Sequence, residues 1–165
     1  MATLEELEKR IQALEDIESL KKLEAQYLNN MNDLKSNDEL FTEDATIHLH
    51  SFGQFKRGSQ KEVESMAGVR ERVATRRIAH YAIQPVISVD GDRASAKWIM
   101  YINNWDVDTP QGQGFRQVVG LHEQTYIKQD GEWKITSNKY SRPYPPELKC
   151  GELYTKGSSW NVPLK

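Results

Sequence analysis

Cysteine is almost missing from this chain: Cys150 is the only one in 165 residues. A single thiol excludes an internal disulfide framework, a zinc ribbon and a CxxC redox pair. Long apolar runs are missing too. None approaches the ~18 residues that a membrane span needs, and the segment after Met1 is too acidic for a signal peptide, so the expectation is a cytoplasmic protein without a membrane partner. Charge of one sign is also lacking. With 22 basic and 24 acidic residues the net charge is −2, which leaves no electrostatic footprint for nucleic acid. There is no GxGxxG, P-loop, GxSxG or HExxH, so nucleotide binding and serine-hydrolase chemistry have no motif behind them. What remains is enough chain for one domain with a core able to enclose a cavity.

The order of elements is legible in the periodicity. Leu4, Leu7, Ile11 and Leu14 form one stripe at 3-4-3 spacing, and Ile17, Leu20, Leu23, Tyr27 and Met31 form a second after a phase slip. The two stripes read as one long or bent helical region in two parts, with Asp16 as an N-cap candidate for the second and the first as an arm that is either a solvated, frayed helix or docked on a neighbouring subunit. A short helical pattern at Asp38–Phe41 follows. Next come a half-buried strand with Ala45, Ile47 and Leu49 inward, a hairpin partner at Gln54–Lys56, and a helix from about Ser59 to Val73 with Val63 and Met66 on its inner stripe. Four long strands complete the pattern: Arg76 to Val89, Ala94 to Val107, Phe115 to Lys128 and Glu132 to Tyr140. Two of their connections carry the Asp-Gly hairpin signal. Helices first and a meander last is an α+β order, incompatible with alternating βαβ units. The domain division is an arm over 1–15, one α+β domain over 16–144 and an irregular tail over 145–165, in which Trp160 suggests packing.

A strongly bent sheet around a helix makes a cone, and polar residues inside it need partners or a purpose. His80 sits mid-strand between Ile78 and Ala82, so it faces apolar company as either a satisfied structural histidine or a base. Asp33, where the first helix would leave the cone, could accept from one ring nitrogen and raise the basicity of the other. His48 and His50 could offer two metal ligands, but no third follows at ordinary spacing and no metal is expected. His122, beside Glu123, is undecided. Seven tyrosines and four tryptophans suit walls that are apolar in body with a hydrogen-bonding tip. Basic residues at 56–57 and 70–77 are interleaved with glutamates and read as a solvated face.

The stretch Asp16–Tyr27, then Asp33, Asp38-Glu39-Leu40 and Phe41-Thr42-Glu43-Asp44-Ala45-Thr46, with Gly131-Glu132-Trp133-Lys134-Ile135 near the end, resembles the SnoaL-like group of the nuclear-transport-factor-2-like superfamily. The resemblance runs from about Ile11 to Tyr144. It implies a cystatin-like, cone-shaped barrel of bent antiparallel sheet wrapped around N-terminal helices. Within the superfamily the likeness is to bile acid 7α-dehydratases, with scytalone dehydratase and hexachlorocyclohexane dehydrochlorinase behind. It implies Tyr27, Asp33 and His80 as catalytic residues, with Asn32 taking the aspartate's place unless one extra residue is allowed after Tyr27. It implies Arg142 as a substrate contact, and Asn104, Trp98, Tyr140 and His122 are the further contacts expected. The dehydratase's second carboxylate has no counterpart, because the register gives Ile102, with Asn103 and Asn104 next. The expectation is a cofactor-independent lyase or isomerase acting beside a carbonyl of a hydrophobic cyclic, polyketide-like or steroid-like molecule, assembled as a homodimer or homotrimer. The alternative is a non-catalytic small-molecule binder or a small structural subunit of an oxygenase.

Overall fold

A computed structural model describes residues 2–74, 76–106, 114–143 and 148–149. The rest of the tail, with Cys150 and Trp160, and the loop over 107–113 lie outside the described residues. The first helix, α1 (Leu4–Asn32), is continuous, and its start is a capping box: Thr3 Oγ1 accepts from the Glu6 amide at 3.2 Å while Glu6 Oε2 accepts from the Thr3 amide at 2.8 Å. Asp16 therefore caps nothing. It is buried mid-helix, accepting from Lys128 Nζ at 2.6 Å and Trp133 Nε1 at 3.0 Å. The phase slip marks the point where the helix reaches the sheet. Before it Leu4, Leu7, Ile11 and Leu14 are exposed, and after it Leu20, Leu23, Tyr27 and Leu28 are buried.

A 3-10 turn (Asp38–Leu40) leads into β1 (Phe41–Leu49), β2 (Gly53–Lys56), α2 (Gln60–Ala74), β3 (Arg76–Asp90), β4 (Arg93–Asp106), β5 (Gly114–Gln129), β6 (Glu132–Ser141) and the two-residue β7 (Leu148–Lys149). The sheet order is β2-β1-β6-β5-β4-β3, with β7 paired to β5. The expected all-antiparallel sheet is thus mixed, because β1 runs parallel to β6 while every other pair is antiparallel. The Asp-Gly signals did their work: Gly91 at φ 56° opens the β3–β4 turn, and Asp130 and Gly131 both take positive φ between β5 and β6. On α2 the expected inner residue Val63 is instead exposed, and Ser65 is buried.

One face of the sheet carries Ala94, Ala96, Trp98, Met100 and Ile102 of β4 and Val118, His122, Gln124 and Tyr126 of β5, all buried against α1. On β6 the inward residues are Trp133 and Ile135, then Asn138 and Tyr140. That change of parity is a β-bulge: Tyr126 pairs with Ile135 and Thr125 with Ser137, leaving Thr136 extra. The bulge turns Asn138 inward instead of out to solvent.

Candidate functional site

Two histidines face the helix from the sheet, and each is held by a different kind of partner. His80 pairs with Ile102 across β3 and β4, so no carboxylate stands beside it on that strand. Its partner is Asn32 in the last turn of α1. Asn32 Oδ1 takes the His80 backbone N–H at 2.8 Å and lies 2.9 Å from ring Nδ1, while Asn32 Nδ2 donates to the His80 carbonyl at 3.3 Å. One amide therefore satisfies the free edge of β3 and orients the ring. Asp33, the expected partner, is one position further round the helix. It is exposed and paired with Lys35 at 2.8 Å, so the Asp33–His80 pairing does not form. At the helix end Asp33 N–H bonds Asn29 O and Leu34 takes φ 59°, which closes the helix with Asn32 rather than Asp33 turned to the sheet.

Burial, joined by the nearby His122, pushes His80 down to about 4. The ring is neutral at physiological pH. With Nδ1–H directed at Asn32 Oδ1, Nε2 carries the lone pair.

The carboxylate–imidazole pairing sought at Asp33 occurs elsewhere. Glu24 and His122, both within 2% of complete burial, meet at 2.8 Å between Oε1 and Nδ1. His122 Nε2 contacts Asn138 Oδ1, and Asn138 Nδ2 donates to the Tyr27 hydroxyl at 3.1 Å. The Tyr27 ring stacks on the His122 ring at 5.4 Å between centroids, 29° from parallel. Glu24 and Tyr27 are one turn apart on the same buried helix face, so a closed ring of contacts joins α1, β5 and β6. Burial, reinforced by the Glu24 charge, pushes the Tyr27 phenol well above its usual range against the pull of the Asn138 bond, and Tyr126 rises for the same first two reasons. Tyr126 donates to Gln124 Oε1, and Trp98 lies buried beside it.

Sequence reasoning put forward Tyr27 and His80 as catalytic residues and His122 as a substrate contact, and missed Glu24 and Asn138. Glu24 carried a signal, since it interrupts an apolar helix stripe between Leu23 and Tyr27. Asn138 carried none, because its inward direction depends on the bulge. Asn104 shares the face of Ile102 and donates to the Ile102 carbonyl at 3.4 Å, whereas Asn103 points to the other face and accepts from Gln117 at 2.9 Å. Tyr140 is buried, and half-buried Arg142 donates to its hydroxyl at 3.3 Å with the guanidinium 5.8 Å above the ring. His48 is half-buried on β1 and His50 is exposed in the following turn. Among the described residues no group of three His, Cys, Asp or Glu could hold a metal ion. Two surface hollows, of about 480 and 430 Å³, contain neither Tyr27 nor His80.

No curated protein matches the chain. Solved structures do share its fold. A nuclear-transport-factor-2-like protein with a cystatin-like fold from Novosphingobium aromaticivorans is 21% identical over 88% of this chain and 94% of that one, with a TM-score of 0.66. A type 2 hexachlorocyclohexane dehydrochlorinase is 14% identical over 86% and 93%, at 0.69. A protein provisionally named a scytalone dehydratase, also from N. aromaticivorans, is 17% identical over 81% and 91%, at 0.62. At these identities the likeness establishes the cystatin-like α+β fold, and the site has to be argued from its own residues. The model of the SnoaL-like domain matches residues 9–139, most of the chain, and the protein belongs to that family.

Proposed function

We propose that the protein is a cofactor-independent lyase or isomerase that moves a proton next to a carbonyl of a hydrophobic cyclic, polyketide-like or steroid-like small molecule. The observation that carries this reading is the neutral His80 with its Nδ1 side fixed by Asn32 and no partner for its Nε2 lone pair among the described residues, on the same face as the buried Tyr27 hydroxyl. His80 Nε2 takes the carbon-bound proton, and Tyr27 meets the carbonyl oxygen as negative charge develops there. In a dehydration the same enolate expels a β-hydroxyl, which leaves as water after protonation. In an isomerisation His80 returns its proton to a different carbon. Arg142 and Asn104 are proposed as substrate contacts, with Trp98 and Tyr140 as apolar walls. The names of the dehydrochlorinase and dehydratase relatives agree with proton abstraction at carbon.

A second reading, a non-catalytic binder or a small structural subunit of an oxygenase, is favoured by one observation: His80 is oriented by an amide and faces Ile102, so no carboxylate supports its basicity. Native mass spectrometry of the purified protein identifies a co-purifying molecule, whose turnover is then compared in wild type and His80→Ala. The enzyme reading expects a loss of about 10²–10⁴-fold. Full turnover by His80→Ala contradicts it, and binding without turnover by wild type supports the second reading.

Self-association is proposed through the outer sheet face. Tyr81, Tyr101 and Val119 form one cross-strand row and Ile83, Ile99 and Leu121 the next, with Tyr81 49% and Ile83 40% exposed. Two largely apolar rows on a solvent face have the character of a contact between copies of the chain.

A further inference from the structure

Tyr27 accepts a hydrogen bond from Asn138, and among the described residues no acceptor is found for its own hydroxyl hydrogen. The reason lies three residues away along the contacts. With Asn138 Nδ2 turned to Tyr27, Asn138 Oδ1 faces His122 Nε2, and on the other side of the ring Nδ1 faces a Glu24 carboxylate oxygen. The amide oxygen facing Nε2 places a hydrogen on that nitrogen. The donations then run outward in one direction, from His122 to Asn138 and from Asn138 to Tyr27. Each bond polarises the next. Glu24 Oε1 anchors the other side of the ring at 2.8 Å, and the stacking of Tyr27 on His122 fixes the phenol's plane.

We propose that Glu24, His122 and Asn138 are positioning residues that hold Tyr27 as a dedicated hydrogen-bond donor to a ligand oxygen, a carbonyl or the enolate formed from it. The inference rests on the proposed proton-transfer reading for the identity of that oxygen, and on the geometry alone for the direction of donation. Glu24 and His122 need not touch the ligand. Their effect reaches it through an amide that has one donor end and one acceptor end, so turning the amide over would reverse the chain: Tyr27 would then donate to Asn138, His122 Nε2 would be bare, and no hydrogen would be left for a ligand.

The two arrangements differ in one observable. Protein labelled with ¹⁵N-histidine, full length and without ligand at neutral pH, gives imidazole nitrogen resonances that separate protonated from bare nitrogens, and His48→Gln, His50→Gln and His80→Gln samples assign the other three histidines and so leave His122. The expected result is His122 Nε2 in the protonated range. An Asn138→Leu variant that keeps the wild-type far-UV circular dichroism should move Nε2 into the bare range, a shift that loss of packing alone would not produce. A bare Nε2 in the wild-type protein overturns the proposal. So does an Asn138→Leu protein in which Nε2 stays protonated. The readout requires no turnover, so it stands or falls separately from the proposed reaction.

Discussion

Replacing Asn32 by Asp inserts a carboxylate where the structure has an amide oxygen 2.9 Å from His80 Nδ1. Two unit charges about 4 Å apart interact by roughly 4 kcal/mol at an effective dielectric constant near 20. Solvent reduces this at a half-buried ring, and an adjacent opposite charge commonly moves a titration by about 1–3 pH units. His80 should accordingly rise from about 4 to the region of ~5–7. The exchange also removes the Nδ2 donor to the His80 carbonyl and sets two oxygens against each other, a loss of about 1–3 kcal/mol. The sign of the pH effect follows from the wild type. An unfolded histidine takes its proton near pH 6.5, whereas the folded ring refuses it until about 4. Wild-type stability therefore falls as pH drops from about 6.5 to 4, by at most ~3 kcal/mol and less where water screens the ring. In Asn32→Asp that part of the slope should shrink, from a lower plateau at pH 7. Titration of the His80 Cε1–H resonance and urea unfolding between pH 4 and 8 read the two effects. A His80 titration unmoved in the variant refutes the reasoning, because it means Asn32 does not face the ring in solution.

Asp16 makes a second pH-sensitive contribution: burial acts to raise it, and the bonds from Lys128 and Trp133 outweigh that and hold it below the usual carboxylate range. Its stabilisation is present above the unfolded value near 3.8 and is lost as pH falls through the folded value. Asp16→Ala should lower stability by about 2–4 kcal/mol at pH 7 in urea unfolding, with the difference shrinking as pH falls below the unfolded value. Gly120 has no room for a side chain, since a Cβ there would come within 2.7 Å of the Ser141 carbonyl and enter the Tyr140 ring. Gly120→Ala should cost about 1–3 kcal/mol by thermal unfolding, and a neutral result would mean that Tyr140 does not cross β5. Tyr81→Glu with Ile83→Glu should convert an oligomer to monomer by light scattering, and an unchanged mass would remove the outer face as the interface. Deleting residues 2–14 should leave the melting temperature of the domain within a few degrees, because the arm's leucines are exposed and hold nothing in the single chain.

How much of this was legible in the sequence depends on how local the signal is. The four long strands were found to within two residues because alternation and Asp-Gly turns are properties of neighbouring residues. The direction of β1 against β6 was not, since parallel pairing leaves no mark on either strand. The phase slip at Asp16 was seen and given the wrong cause. It marks where solvent gives way to the sheet, while the cap that starts the helix is Thr3 with Glu6, a motif readable in the sequence. His80 was found through its apolar neighbours. The choice between Asn32 and Asp33 depended on about 100° of helix rotation, which spacing alone leaves open. Glu24 and His122 lie 98 positions apart in the chain, and Asn138 faces them only because Thr136 is extra in its strand.

The central claim is that His80 takes a proton from carbon on this face. In deuterium oxide, wild-type protein with its co-purifying molecule, and in parallel with 1-tetralone as a bicyclic ketone, should catalyse exchange of the hydrogen beside the carbonyl, read by mass spectrometry. His80→Ala should fall to the rate of buffer. Exchange equally fast in wild type and His80→Ala, or no faster in wild type than in buffer for either molecule, would contradict the account.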